Sequence, residues 1–122
     1  MIKPLLAAAL LAFSGAAQAM PVSDFVTKAN ALEKKGVMAM LSGDFRLLKN
    51  EVNTSTQLAV REERAAVKAG RKPTMCLPKS GNLSLGTTEV LNHMRAVPSA
   101  QRTISVKDGM SGLLRKKYAC PA

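Results

Sequence analysis

Two cysteines constrain this chain more than any other feature, because they bracket a unit that reaches almost to its end. Cys76 and Cys120 are the only cysteines among the 122 residues. Between them lie two helix-like segments that are separated by Pro98. A bond between the two cysteines would tie the start of this unit to its end, and such bonds persist in oxidising compartments. Whether the bond forms therefore depends on where the protein resides.

The N-terminal segment, residues 1–19, has the pattern of a secretory signal peptide. Lys3 supplies a positive start, Leu5 to Phe13 is an uninterrupted apolar run, and an A-x-A cleavage pattern ends at Ala19. The apolar run is shorter than the roughly 20 residues that span a bilayer. We therefore predict a cleaved signal peptide over residues 1–19, of bacterial style, with an uncleaved anchor as the alternative. The protein is then periplasmic or secreted, without a stable membrane anchor.

In that setting a Cys76–Cys120 disulfide is the simplest pairing. Closing a loop of this length stabilises a protein by roughly 4 kcal/mol in the chain-entropy model. That is a large share of the typical total of about 5–15 kcal/mol. The two cysteines are too far apart for a C-x-x-C redox motif, and a zinc site needs further ligands.

The mature chain, residues 20–122, shows helical spacing of its apolar residues and no useful strand-like alternation. The predicted fold is a single all-α domain, a compact bundle of four or five short helices with one disulfide. Phe25, Ala29 and Leu32 form one apolar stripe of the first helix, which Ser23 is expected to cap. Val37–Leu41 is expected to be a buried helical turn.

The later helices carry weaker signals. A long helical stretch is predicted over residues 45–69, and the polar segment Asn53–Gln57 leaves open whether it is one helix or two. A third helix covers residues 88–96. Ser105 and Asp108 form a capping-box-like start for the last helix. Gly109 and Gly112 are expected to mark close packing against another helix, because each costs helix stability.

The net charge of the mature chain restricts its partners. Cleavage removes Lys3 from the 18 basic residues and none of the 8 acidic ones, which leaves a net charge of +9. Nucleic acid is disfavoured by export and by an aromatic content of 3%, which offers few stacking platforms. The partners that remain are anionic lipid head groups, cell-wall polymers or an acidic protein surface. The alternative is that the charge only keeps the domain soluble.

One basic cluster stands out after the middle of the long helix. By three- and four-residue spacing its members share approximately one helical face. This face either binds a partner with an acidic surface or is an ordinary solvated helix face. The cluster comprises Arg61, Arg64, Lys68, Arg71 and Lys72.

Catalytic and cofactor motifs are not evident in the sequence. His93 is the only histidine, and it lies mid-helix without a nucleophile-elbow glycine pattern, so we expect a surface or boundary residue. Glu62 and Glu63 are adjacent and point about 100° apart on a helix, so they do not form an acid–base pair. They are expected to be a solvated face. No glycine cluster matches a phosphate-binding loop. The sequence therefore predicts neither an enzyme nor a cofactor.

The segment from Met75 to Cys120 resembles the C-terminal part of the Tai-type family of type VI secretion amidase immunity proteins. The resemblance covers about the last 45 residues. Residues 20–75 carry neither the family's glycine–tyrosine helix motif nor a further cysteine. The matching features are Cys76-Leu77-Pro78, the turn from Ser80 to Ser84, Val90-Leu91, Val97-Pro98, Val106 to Leu114, and Tyr118-Ala119-Cys120.

The resemblance implies a small helical periplasmic protein that binds and neutralises a secreted hydrolase. The family's architecture is also similar to that of small periplasmic acid-stress chaperones. We therefore expect an exported, non-enzymatic binding protein, immunity- or inhibitor-like, with a stress chaperone or another small helical protein as the alternative. An acid-switched chaperone would have only 8 carboxylates with which to respond to pH.

Overall fold

The computed structural model describes residues 19–121, and the predicted signal peptide falls outside this range apart from Ala19. Four α-helices account for most of the described chain, and apart from an isolated bridge between Pro21 and Ser105 no β-pairing occurs within it. Their bounds are α1 (Val22–Lys34), α2 (Gly43–Lys68), α3 (Thr87–Arg95) and α4 (Val106–Lys117), with 3₁₀ turns at Gly36–Leu41 and Ser99–Gln101. The predicted all-α fold with one disulfide is confirmed.

The start of α1 differs from the prediction that Ser23 caps it. The helix begins at Val22, and Pro21 occupies the N-cap position in an extended conformation without a side-chain hydrogen bond. Instead, the Val22 and Ser23 amides donate to the carbonyl oxygens of Ile104 and Arg102, at 2.8 and 2.9 Å. Because a neighbouring segment satisfies these amides, no capping side chain is needed.

The long polar stretch forms one uninterrupted helix, α2, of 26 residues. Hydroxyl groups in its middle are satisfied within the helix, since Thr56 Oγ1 donates to the Val52 carbonyl oxygen at 2.7 Å. Leu48 and Ala59, on either side of the polar segment, are buried, and α2 packs extensively along α4. Burial of this face outweighs the weak helix propensity of residues 53–57.

The main core lies where α1, α3 and α4 meet, with Leu48 of α2 closing one side. The predicted apolar stripe of α1 is buried, and so are Val106, Met110 and Leu113 of α4. A methyl group built on Gly109 would lie 2.8 Å from Met94 Sδ. The close approach expected at this glycine is therefore confirmed, and α3 and α4 touch through it. The fully enclosed side chains are Val22, Met94, Val106, Met110 and Leu114.

The predicted disulfide joins Cys76 to Cys120, with their Cα atoms 4.9 Å apart. Beside it the Cys76 amide donates to the Tyr118 carbonyl oxygen at 2.7 Å. Met75 packs with Ala59 and Leu114 in a second, smaller apolar cluster. The disulfide is compatible with an oxidising compartment. Over residues 19–121, none of the helices is both long and apolar enough to cross a membrane.

The prediction that Val37–Leu41 is buried is wrong. The segment is a 3₁₀ turn, but Val37 and Leu41 are 86% and 76% exposed. Gly36, with a φ of 59°, lets the chain leave α1 in the left-handed region. Only Ala39 of this turn packs against the main core, so its larger side chains point away from it. We call Gly36–Leu41 the apolar turn.

Candidate binding surface along α2

The five basic residues of the predicted cluster are all exposed, and we call them the basic face. Three project from the last two turns of α2, and two follow in the loop after Gly70. Within residues 19–121, none of the five takes part in an ion pair. Their positive charge is therefore not compensated by neighbouring side chains. The five are Arg61, Arg64, Lys68, Arg71 and Lys72.

The acidic residues are largely engaged elsewhere, which explains why the basic face stays uncompensated. Glu62 accepts from Lys107 Nζ of α4 at 2.7 Å. This pair joins α2 to α4. Glu33 pairs with Arg95 and joins α1 to α3, and Glu89 pairs with Lys117 and joins α3 to α4, each at 2.8 Å. Exposed pairs of this kind add little stability each, but these carboxylates are then not available to pair with the basic face.

Glu63 departs most from the expected solvated carboxylate. Thr74 donates to it twice, from its amide to Oε2 at 2.8 Å and from its hydroxyl to Oε1 at 2.6 Å. The Met75 amide adds a third bond at 3.4 Å. Burial acts to raise the pKa of Glu63, but these hydrogen bonds and the nearby Arg115 charge outweigh it and hold the pKa below its usual value. Glu63 therefore anchors the loop that leads to the disulfide.

Replacing Glu63 by Gln should destabilise the protein by about 1 kcal/mol at pH 7, a low value because the site is partly exposed. A carboxyl with a lowered folded-state pKa stabilises above the unfolded-state value and loses that contribution as pH falls through the folded value. The difference between the two proteins should therefore shrink below pH 4.5, the reference value of a free Glu. Urea unfolding at pH 7 and at acid pH measures it. A difference that does not change with pH would contradict this role.

A groove runs beside α2, open to solvent, between α1, α2 and α3. Its volume is about 830 Å³, and Lys49 stands on its wall. Its floor is mainly apolar, and the side chains that form much of it are Phe25, Leu32, Leu48, Val52, Leu85 and Val90. Grooves of about 300–1,000 Å³ with apolar lining are typical of ligand or peptide sites.

A smaller hollow of about 280 Å³ continues the groove toward the C-terminal end of α2. The two share Thr56, Gln57 and Leu83 as lining residues. Arg61 and Arg64 line the hollow, and Leu77, next to the disulfide, closes its far side. Two residues of the basic face therefore border a depression of mixed lining, in which Val60, Leu77 and Leu83 are the apolar side chains. A side chain or segment with both carboxylate and apolar groups would fit this combination.

Sequence analysis missed two basic residues on the exposed side of α2. Arg46 and Lys49 are exposed and precede Arg61 at spacings of 15 and 12 residues. At 100° per residue, Arg46 and Lys49 lie about 60° and 120° around the helix axis from Arg61, so they do not continue the basic face. The three- and four-residue period that groups Arg61, Arg64 and Lys68 therefore does not reach them.

His93 occupies the boundary position that the sequence predicts. It is half-buried on α3 beside Gly112 of α4, and burial lowers its pKa, assisted by the positive charge of Lys116. Across residues 19–121 no three His, Cys, Asp or Glu side chains are grouped so as to hold a metal ion.

Comparison of the chain with protein families, with curated proteins and with solved structures found no match. The resemblance to amidase immunity proteins remains a prediction from residues 75–120.

Proposed function

We propose that this protein is an exported, non-enzymatic binding protein of the immunity or inhibitor kind, which docks on an acidic surface of a secreted hydrolase. The observation that carries the proposal is the basic face, which forms no ion pairs within residues 19–121 and borders a partly apolar hollow at Arg61 and Arg64. The C-terminal resemblance to amidase immunity proteins supports the choice of partner class. The disulfide and the signal-like N-terminus support the compartment.

Charge and apolar surface would have different tasks in such a complex. Exposed arginines and lysines accelerate association with an acidic surface and select against basic ones, and salt weakens their effect. Apolar pockets near the centre of an interface supply most of the affinity. Arg61 and Arg64 lie at the boundary between the two kinds of surface. They are the residues of the basic face on which binding should depend most.

The test is a pull-down from periplasmic extract with the mature protein. We expect an acidic hydrolase to bind at ~50 mM salt and to be released at ~500 mM, where charges are screened within a few ångströms. The variant Arg61→Glu/Arg64→Glu should lose the partner. The control Lys28→Glu/Lys116→Glu makes the same change of net charge away from the basic face and should retain it. Failure to capture a hydrolase, or equal capture by both variants, would contradict the proposal.

A periplasmic stress chaperone is the second candidate, and the groove beside α2 favours it. Val52, Leu85 and Leu91 line the groove and are partly exposed at neutral pH, so unfolded clients would not require acid-induced exposure. Binding of unfolded clients through apolar contacts should depend little on the charge of one helix. Suppression of client aggregation that survives the Arg61→Glu/Arg64→Glu change, measured by light scattering, would favour the chaperone over the binding protein.

A further inference from the structure

The apolar turn between α1 and α2 exposes several large apolar side chains that are close together in the sequence. Four of its residues, Val37, Met38, Met40 and Leu41, are 61–86% exposed. Leu47, in the first turns of α2, adds a fifth side chain at 44%. Single exposed apolar residues are ordinary on a protein surface, but a contiguous group of this kind marks an interaction site.

The turn joins α1 to α2 and packs chiefly against these two helices. A methyl group built on Gly36, at its start, or on Gly43, just beyond its end, would meet no heavy atom within 4 Å beyond its neighbours in the chain. The backbone at both ends of the turn is therefore open, and the large side chains between them are exposed. A soft partner can accommodate such side chains more readily than a flat, rigid one.

Four basic residues flank the apolar turn in the sequence, at the end of α1 and in the first two turns of α2, and we call them the basic collar. Within the described chain, residues 19–121, none of them forms an ion pair. Two acidic groups lie near: Glu33, which is held by Arg95 at 2.8 Å, and Asp44, at the N-terminus of α2. The collar consists of Lys34, Lys35, Arg46 and Lys49, all exposed.

We propose that the apolar turn inserts into the surface of an anionic lipid bilayer while the basic collar contacts the phosphate head groups. Apolar side chains on an exposed turn gain by entering the boundary between head groups and acyl chains. Basic residues around them are attracted to the negative surface and remain at head-group level. A protein pocket or a second copy would have to be both concave and acidic to match the same surface.

The proposed membrane contact extends the binding function and does not rest on it. Arg46 and Arg61 are separated by 15 residues of α2, or about 22 Å along the helix. The basic face and the hollow therefore lie at the other end of α2. The protein would reside at the membrane surface with the basic face still open to a partner.

Vesicle flotation with the mature protein tests the proposal. The vesicles contain about 30% phosphatidylglycerol in phosphatidylcholine, and pure phosphatidylcholine vesicles serve as the neutral comparison. We expect the wild type to float with the anionic vesicles at least tenfold more strongly than with the neutral ones. Val37→Ser/Leu41→Ser and Lys34→Glu/Lys35→Glu should each weaken binding to anionic vesicles at least tenfold. These side chains are exposed, so the thermal unfolding of the variants should match the wild type.

Two matched controls separate the turn from general hydrophobicity and charge. Leu58→Ser/Val67→Ser removes apolar side chains of α2 that are 41% and 40% exposed. Arg61→Glu/Arg64→Glu makes the same charge change as the collar variant at the far end of α2. Both should bind anionic vesicles within about threefold of the wild type. If the second control loses the hydrolase in the pull-down but keeps the vesicles, the two proposals are independent.

Insertion itself can be followed because the chain contains no tryptophan. Leu41→Trp should show a blue-shifted emission on anionic vesicles and quenching by brominated acyl chains, while Leu58→Trp should show neither. The proposal is overturned if the wild type does not float, if the turn variants float as well as the wild type, or if the emission of the Leu41→Trp variant is unchanged by vesicles. Loss of self-association or of hydrolase capture in the turn variants, with flotation retained, would assign the patch to a protein interface instead.

Discussion

Replacing both Cys76 and Cys120 by Ser is expected to lower the free energy of unfolding by about 4 kcal/mol, which corresponds to a fall in melting temperature of roughly 15 °C or more. The bond closes a loop with a sequence separation of 44. Without it, the unfolded chain gains the conformations that the loop excludes. Urea unfolding followed by circular dichroism gives the value directly.

The loop before α3 should respond most to this change. Residues 69–86 contain no helix, and they are held by the disulfide, the Cys76–Tyr118 backbone bond and the burial of Met75. A reducing agent should destabilise the wild type by the same amount and leave the double-serine variant unchanged. A loss below about 1 kcal/mol would mean that the folded contacts of this loop hold it without the covalent link.

Replacing Gly109 by Leu is the second large expected effect, a destabilisation of about 3 kcal/mol. A Cβ at this position would lie 2.8 Å from Met94 Sδ, 3.0 Å from Met94 Cε and 3.4 Å from Val22 Cγ2. Met94 and Val22 are fully buried, so neither can move into solvent. A leucine side chain would force α3 and α4 apart, and chemical denaturation measures the loss.

Gly112→Ala is the matched control on the same helix. There an added methyl group would lie 3.4 Å from His93 Nε2, a contact near the ordinary range, and His93 is only half-buried and has room to shift. Alanine is about 1 kcal/mol better than glycine in a helix interior. This variant should therefore be as stable as the wild type or up to about 1 kcal/mol more stable. Equal effects at both glycines would show that helix propensity, and not contact with Met94, decides the stability of α4.

Much of the helical core follows from local sequence rules. Phe25, Ala29 and Leu32 recur at helical spacing, and the structure buries all three. Ser105 caps α4 as its pairing with Asp108 predicts, with its hydroxyl accepting from the Asp108 amide at 3.1 Å. These features depend on residues within one or two turns of each other, so the periodicity of the sequence is sufficient to find them.

The features that sequence analysis missed depend on residues far apart in the chain. Glu63 and Thr74 meet across 11 residues, and Glu62 and Lys107 across 45. Ser23 does not cap α1, because carbonyl groups in the connection before α4 accept the hydrogen bonds of the first amides of the helix. Periodicity within one segment carries no information on such contacts.

The apolar turn was mispredicted for a different reason. Its composition is that of a core segment, and an apolar run is ordinarily buried. Gly36, with a φ of 59°, redirects the chain after α1, and of the turn that follows only Ala39 packs against the main core. The five residues of the basic face are exposed and can be read from the sequence, whereas the groove and hollow beside them are formed by three helices and a loop. No single stretch of the sequence contains them.

The disulfide also determines how the domain would respond to mechanical force. If the chain were pulled at Met20 and Cys120, the force would pass through the disulfide and bypass α3 and α4, which lie between the two cysteines. Only α1 and α2 could then be extended. About 150 Å of contour length between the cysteines would not be released until the bond is reduced. An unfolding machine that threads a single strand would be obstructed at this closed loop. Reduction is then the step that decides when the C-terminal half of the domain can be dismantled.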